Sequence, residues 1–345
     1  MKLLNAPLAL MLAMFLLPTT VSATTTLRYT DHEPLGGMRT RFIKDVFFTA
    51  IEKQSNGRLK IEEHWNGGLA VGYDALRVIG DGSAADMGIV VPEYTADKLP
   101  LHQIFKSFPV GPSGDKQIEF FKRVYAEIPA FPAELKKENV VNIFFGTGYP
   151  VAFFGTRPLK NLEDIKGTKW RSASFWHQDF LRNAGATPLT MPWGPETVNA
   201  FKSGALDGIM VNIDSGYDLK VQEMAPNVLV SNELWLGHVY LLVMNKETWD
   251  KLAQEDKEAI QRAAKIAYKT AGSVMDNALV QQIDTLRKSG AKVRALQHKE
   301  VEHWQDVTRY QEIQAKWVKK QEALNVKDVS PTMEKVSNIM SDVMK

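Results

Sequence analysis

The chain has 345 residues, 44% of them hydrophobic and 24% charged, with 42 Lys and Arg against 40 Asp and Glu and no cysteine. A net charge of +2 gives no electrostatic case for nucleic acid or an anionic membrane as partner. The absence of cysteine excludes disulfides, thiol nucleophiles and thiolate metal sites together.

Met1-Lys2, an apolar run over 8–17 and the small-residue site Val21-Ser22-Ala23 read as a secretory signal peptide over 1–23, too short to span a bilayer. Cleavage after Ala23 would remove Lys2, leave a charge of +1, and put the mature chain in the periplasm. No later apolar run is long enough for a membrane span.

From Thr24 the pattern alternates between strand and helix. A strand over 27–30 leads into the loop Asp31-His32-Glu33-Pro34-Leu35-Gly36-Gly37, and the next segment carries Phe42, Val46, Phe47, Ala50 and Ile51 at helical spacing up to a cap at Asn56-Gly57. A strand follows over 58–65, then a helix with Leu76, Val78 and Ile79. The apolar run over 86–91 suits a strand buried on both faces of a parallel sheet. This alternation argues for a doubly wound α/β domain. Helix faces are expected over 120–124 and 133–137 and a strand over 140–145, after which 146–150 reads as a crossover into a second domain.

In that second domain, 164–212 predicts a strand ending at Arg171, a helix over 174–184, a strand over 187–191, a helix over 195–203 and a strand opening at Asp207. Arg171 leaves its strand at the carboxyl end, the edge where open α/β sheets bind small ligands. Its guanidinium fork suits a carboxylate, and Phe175, Trp176 and Trp193 stand nearby as aromatic walls. An arginine at a strand end also commonly makes a surface or inter-helix salt bridge. The apolar strand over 239–244 could return to the first domain. Strongly helical sequence over 247–288, an edge strand over 290–296 and a final helix over about 299–323 complete the chain, with Trp304 and Trp317 as core anchors.

Three segments carry a family resemblance. They are Asn-Gly-Arg-Leu-Lys-Ile at 56–61 with the following Gly-Gly-Leu, the Asp-Met-Gly segment within 82–92, and 162–208. The last contains Leu-Glu-Asp-Ile-Lys-Gly-Thr-Lys-Trp-Arg, Gly-Ala-Thr-Pro, Met-Pro-Trp and Ser-Gly-Ala-Leu-Asp-Gly in order. Over essentially its whole mature length the chain resembles the DctP-like periplasmic substrate-binding proteins of TRAP transporters. That resemblance implies two α/β lobes joined by hinges, as in periplasmic binding proteins, closing on one organic acid for delivery to the TRAP permease. It implies a receptor without a cofactor, in which Arg171 clamps the carboxylate; a monomer is expected, though the sequence itself does not fix the oligomeric state. Lobe I would hold 24–148 with 236–275 returning to it, and lobe II 149–235 with 276–345. Val151, Val211 and Met210 stand where other members carry a second arginine, an asparagine and a metal-binding glutamate, which argues against sialic acid and against that metal site.

Further cleft candidates are Trp193 after Met191-Pro192, Glu93 and Tyr94 after the third strand, His32 with Glu33 after the first, Trp235, Phe175, Trp176 and Asn212. Asp214 and Glu93 keep a cation possibility open. Two other readings stand beside the receptor. A ligand sensor for a membrane receptor would use the same cleft, whereas an enzyme with His32, His64, His177 or His238 as general base has no nucleophile elbow, phosphate loop or zinc motif behind it.

Overall fold

The computed structural model describes residues 24–191 and 194–345, so the leader expected over 1–23 and the indole of Trp193 lie outside the described residues. Two sheets organise the chain. The first contains β1 (Thr25–Thr30), β2 (Leu59–His64), β3 (Met87–Val90), β4 (Val140–Thr147) and β10 (Val239–Asn245), in the order β2-β1-β3-β10-β4. The second contains β5 (Val151–Gly155), β6 (Lys169–Arg171), β7 (Thr187–Leu189), β8 (Gly208–Asn212), β9 (Asn227–Val230) and β11 (Lys292–Ala295), in the order β11-β9-β5-β8-β6-β7.

One strand in each sheet runs against its neighbours. β10 is antiparallel to β3 and β4, and β5 is antiparallel to β8 and β9. Both are strands by which the chain enters a lobe after crossing from the other. The crossings lie at 148–150, between β4 and β5, and at 231–238, between β9 and β10. Backbone bonds tie the second crossing to a lobe I loop, with Trp235 N donating to Pro109 O at 3.2 Å and Gly111 N to Glu233 O at 3.0 Å.

The helices cover the sheet faces. The first helical stretch runs as α1 (Met38–Phe42), a π-helical segment (Ile43–Phe48) and α2 (Thr49–Gln54), and ends where Asn56 and Gly57 take positive φ. Phe47, Phe48 and Ile51 pack there against Leu27, Tyr29 and Phe144 of the first sheet. Next come α3 (Ala75–Asp81), α4 (Gly114–Glu127), α5 (Ala130–Lys137), α6 (Phe175–Asn183), α7 (Pro195–Lys202), α8 (Ile213–Asp218) and α9 (Lys246–Lys251). α10 (Gln254–Lys288) has 35 residues and is about 50 Å long at 1.5 Å per residue. Its Ala263, Ala267 and Ala271 pack into the lobe I core and its Leu279 and Leu286 into the lobe II core. The small residues let it lie close to its neighbours.

The carboxyl-terminal region differs from the sequence reading. The helix expected over 299–323 is two helices, α11 (His298–Thr308) and α12 (Tyr310–Ala323), broken where Arg309 adopts a left-handed backbone with φ 50°. A further helix, α13 (Val329–Met344), was not expected. Its stripe of Val329, Met333, Val336, Met340 and Val343 is buried, and it packs on α4 and on the 3-10 helix Leu101–Lys106 of lobe I. The last helix therefore packs on lobe I elements as well as on α12. An apolar stripe has to be covered, and the groove beside α4 is apolar.

Candidate ligand cleft

Lobe II supplies a cation. β6 is short and lies between β8 and β7, with Trp170 and Arg171 in parallel register to Gly208 and Ile209. Trp170 fits because position 208 has no side chain; a Cβ there would stand 2.5 Å from the indole. Packing Trp170 inward brings Arg171 to the strand's carboxyl end. Its Nε and Nη2 donate to Met191 O at 3.3 and 3.2 Å, and the residue is 4% exposed. Burial pulls the guanidinium down from the usual arginine value, and Glu93, Tyr73 and Tyr94, all from lobe I, oppose the shift. Arg171 thus lies within electrostatic reach of the opposite lobe while remaining charged.

Asn212 ends β8 beside it and donates to Asp214 Oδ1 at 2.5 Å and Ser215 Oγ at 2.8 Å. Burial pushes the Asp214 carboxyl up to about 7; hydrogen bonds from Ser215 and Asn212 work against that, and Glu33 across the cleft reinforces it. Phe175 opens α6 and is 44% exposed, its ring 4.9 Å from that of Trp176.

Lobe I presents the loops after β1 and β3. Arg39 is buried and committed: it donates to both Asp31 oxygens at 2.7 and 3.0 Å and to Glu33 Oε2 at 2.7 Å, and lies 4.3 Å over the Tyr240 ring. His32 sits 3.7 Å from Asp31 Oδ1 and 3.9 Å from Glu33 Oε1, with its ring edge-on to Tyr94. Burial lowers its pKa, against the pull of Asp31 and Glu33. Tyr94 stacks on Tyr73 at 4.5 Å, and Gly72 makes room for it, since a Cβ there would meet the ring at 2.9 Å. Its hydroxyl is pushed up to about 12, chiefly by burial.

Glu93 forms an ion pair with Lys106. Burial would raise its carboxyl, but Lys106 and His238 outweigh that and hold it at about 2. His177 of α6 and His238 of the second crossing complete this group. Burial, reinforced by Lys106, drives both imidazoles down to about 3, so both are neutral.

Trp176 and Trp235 are a correction to the sequence reading, which put Trp176 among the aromatic walls and Trp235 among the further cleft candidates. Both are packed inside. The Trp176 indole donates to Gln103 O at 3.0 Å and the Trp235 indole to Phe105 O at 2.6 Å, so each pins a lobe II or crossing segment to the 3-10 helix Leu101–Lys106 of lobe I. A large amphipathic ring whose N–H must find a partner when buried suits that role. The structure brings together Arg171, Glu93, Tyr94, His32 and Asn212 around the cleft and leaves Phe175 at the surface. Tyr73 and Lys106 were missed by the sequence reading. Tyr73 lies in a loop without periodicity, and only the stacking on Tyr94 marks it. Lys106 reads as an ordinary helical lysine until its pairing with Glu93, 13 residues earlier, is seen.

Among the described residues, no three His, Asp or Glu side chains converge as a metal site, and no helix is long and apolar enough to cross a membrane. The arrangement can hold an anion at Arg171, flanked by aromatic rings and neutral hydrogen-bonding groups.

Residues 42–320 match the family described as bacterial extracellular solute-binding protein, family 7. A solute-binding protein of Albidiferax ferrireducens is 25% identical over 276 residues, covering 79% of this chain and 80% of its own. The ectoine-binding periplasmic protein TeaA of Halomonas elongata is 25% identical over 182 residues, 51% of this chain and 52% of its own. Among solved structures, a TRAP solute-binding protein of Rhodoferax ferrireducens with copurified benzoate gives a TM-score of 0.77 at 17% identity, covering 93% of this chain and 99% of that one. DctP6 of Bordetella pertussis, a receptor binding pyroglutamic acid, gives 0.74 at 20% identity, covering 92% and 100%. At such identities these two show a shared fold.

Proposed function

Because the chain belongs to the family 7 bacterial extracellular solute-binding proteins, we propose that it is the periplasmic receptor of a TRAP-type secondary transporter. In this reading its two lobes close on a small organic acid, Arg171 takes the carboxylate, and the closed form hands the acid to the membrane permease. The observation that carries this is the placement of Arg171, a permanently charged fork at a strand's carboxyl end, 4% exposed and under the electrostatic influence of lobe I. A carboxylate there can accept two parallel charge-assisted bonds from the guanidinium. Closing the lobes then removes water and strengthens that pair. Tyr73 and Tyr94 offer ring surface to the ligand's body. The relatives' ligands, among them benzoate and pyroglutamic acid, are small carboxylates and support this class.

The test is a thermal-shift screen of the purified mature protein against monocarboxylates, dicarboxylates, sugar acids and aromatic acids, with Arg171→Ala in parallel. A ligand that binds only the native state must raise the melting temperature by mass action. The expected result is stabilisation of the wild type by an acid class that leaves the variant unmoved. Equal stabilisation of both proteins would remove Arg171 from the site.

A further inference from the structure

Within electrostatic reach of Arg171 lies a second polar group that the carboxylate clamp does not use. It consists of His177 from lobe II, His238 from the second crossing, and the Glu93–Lys106 ion pair of lobe I. His177 is 1% exposed, yet its Nε2 has no hydrogen-bond partner, and His238 Nδ1 is likewise buried and unpartnered. A buried ring nitrogen left without a partner is uncommon and costly, so two in one cluster call for an explanation. Beside His238 a cavity of about 10 Å³ is lined by Glu93, His102, Gln103, Lys106 and His238. That is room for about one water-sized oxygen. His177 stands outside that lining but within electrostatic reach of Glu93, Lys106 and His238.

The cluster's charge is as informative as its position. Glu93 and Lys106 neutralise each other, and both imidazoles are uncharged. An anion there would face the Glu93 carboxylate, and the cluster's cation, Lys106, is already paired with that carboxylate. An ammonium would face Lys106. A hydroxyl, carbonyl or lactam group fits, because a neutral imidazole nitrogen can donate or accept according to its tautomer. Glu93 also acts on Arg171, so the two poles belong to one cleft.

We propose that His177 and His238, set against the Glu93–Lys106 pair, form a neutral polar pole that receives one uncharged oxygen or N–H of the ligand. The receptor thereby selects monocarboxylates bearing a hydroxyl, oxo or lactam group over both apolar acids and dicarboxylates. This rests on the organic-acid reading above and adds the class of acid. Such a site discriminates strongly, because the analogue lacking the group leaves buried nitrogens unpaired.

Isothermal titration with two matched series tests this: benzoate, 3-hydroxybenzoate, 4-hydroxybenzoate and isophthalate, then cyclopentanecarboxylate and pyroglutamate. The expected outcome is that, in at least one series, the neutral polar member binds at least about tenfold tighter than its apolar parent, and in the benzoate series also tighter than the dicarboxylate. In His177→Leu the ratio of polar to parent affinity should fall to near one, and His177→Gln, which keeps a hydrogen-bonding group, should restore part of it. Should the leucine variant not fold, the wild-type series still decides. Parent acids or isophthalate binding as tightly as the polar members would overturn this inference while leaving the organic-acid reading in place. Binding of none of these acids, nor of any acid in the thermal-shift screen, would overturn both.

Discussion

Replacing Arg171 by lysine keeps the charge and removes the fork, which separates two roles that an alanine variant would confuse. If the guanidinium makes two parallel bonds to a carboxylate, Arg171→Ala should weaken binding by roughly 2 to 5 kcal/mol, as for truncating one member of a buried charge pair. Arg171→Lys should recover only a minor part, since an ammonium is a point charge without the planar fork. Titration calorimetry showing near wild-type affinity for the lysine variant would reduce Arg171 to a source of field. His177 allows a test that needs no ligand. Its imidazole is held at about 3 in the fold, against about 6.5 in the unfolded chain. Between those values the unfolded state binds the extra proton, so this group's contribution is complete above pH 6.5 and is lost as the pH falls toward 3. His238 acts in the same direction, and Asp214, raised to about 7, acts oppositely by holding a proton in the fold. From pH 6 down to 5, His177→Gln should therefore make the pH dependence of unfolding free energy shallower by about 1.2 kcal/mol per unit. Urea denaturation with an unchanged slope would show that the buried imidazole is protonated in place. Arg171 was readable in the sequence because its position depends only on where a short strand ends. The environment of His177 was not, since Lys106 and Glu93 come from segments more than 70 residues away.

Between elements, one close approach is the crossing of α10 over the start of α4. Gly272 faces the first turn of α4 so closely that a Cβ would lie 2.1 Å from Asp115 Oδ1 and 2.4 Å from its backbone nitrogen. Two effects of Gly272→Ala oppose each other. Alanine favours the helix by up to about 1 kcal/mol, whereas forcing an atom into backbone costs about 1–3 kcal/mol. The clash should win, because a backbone nitrogen cannot rotate away as the end of a side chain can. The variant is expected to be destabilised in chemical denaturation; a neutral or stabilised protein would show that α10 and α4 separate readily. The same crossing explains what periodicity could reveal. The alanine stripe of α10 was visible in the sequence, as were most strands and the helices between them, because each is written in a local repeat of apolar residues. The break at Arg309 and the whole of α13 were not. Arg309 is not a residue whose local preference marks a left-handed turn, and α13 is held by a lobe I groove far from it in sequence.

For the whole molecule, what matters is how the lobes are joined. Two of the links are the extended crossings at 148–150 and 231–238, and the others are α10, whose ends are packed in different lobes, and the return to α13. The indoles of Trp176 and Trp235 fasten the back of the cleft to Leu101–Lys106, so relative motion is expected to open and close the front, where Tyr73 and Phe175 are exposed. Across that front burial, reinforced by Glu33, raises the Asp214 carboxyl to about 7, so bringing the walls together sets Glu33 against a carboxyl that must take up a proton or repel it. An unliganded protein thus has a reason to stay open, and a carboxylate on Arg171 attracting donors from both walls supplies the reason to close. Hinge closure of this kind should reduce the radius of gyration of the mature protein toward the ~20 Å expected of a compact chain of its length. Small-angle scattering with a saturating acid should show that fall in the wild type and none in Arg171→Ala at the same acid concentration. Contraction of both proteins would mean that closure does not depend on the clamp. Contraction of neither, in the presence of calorimetrically proven binding, would mean that the acid enters a cleft already closed.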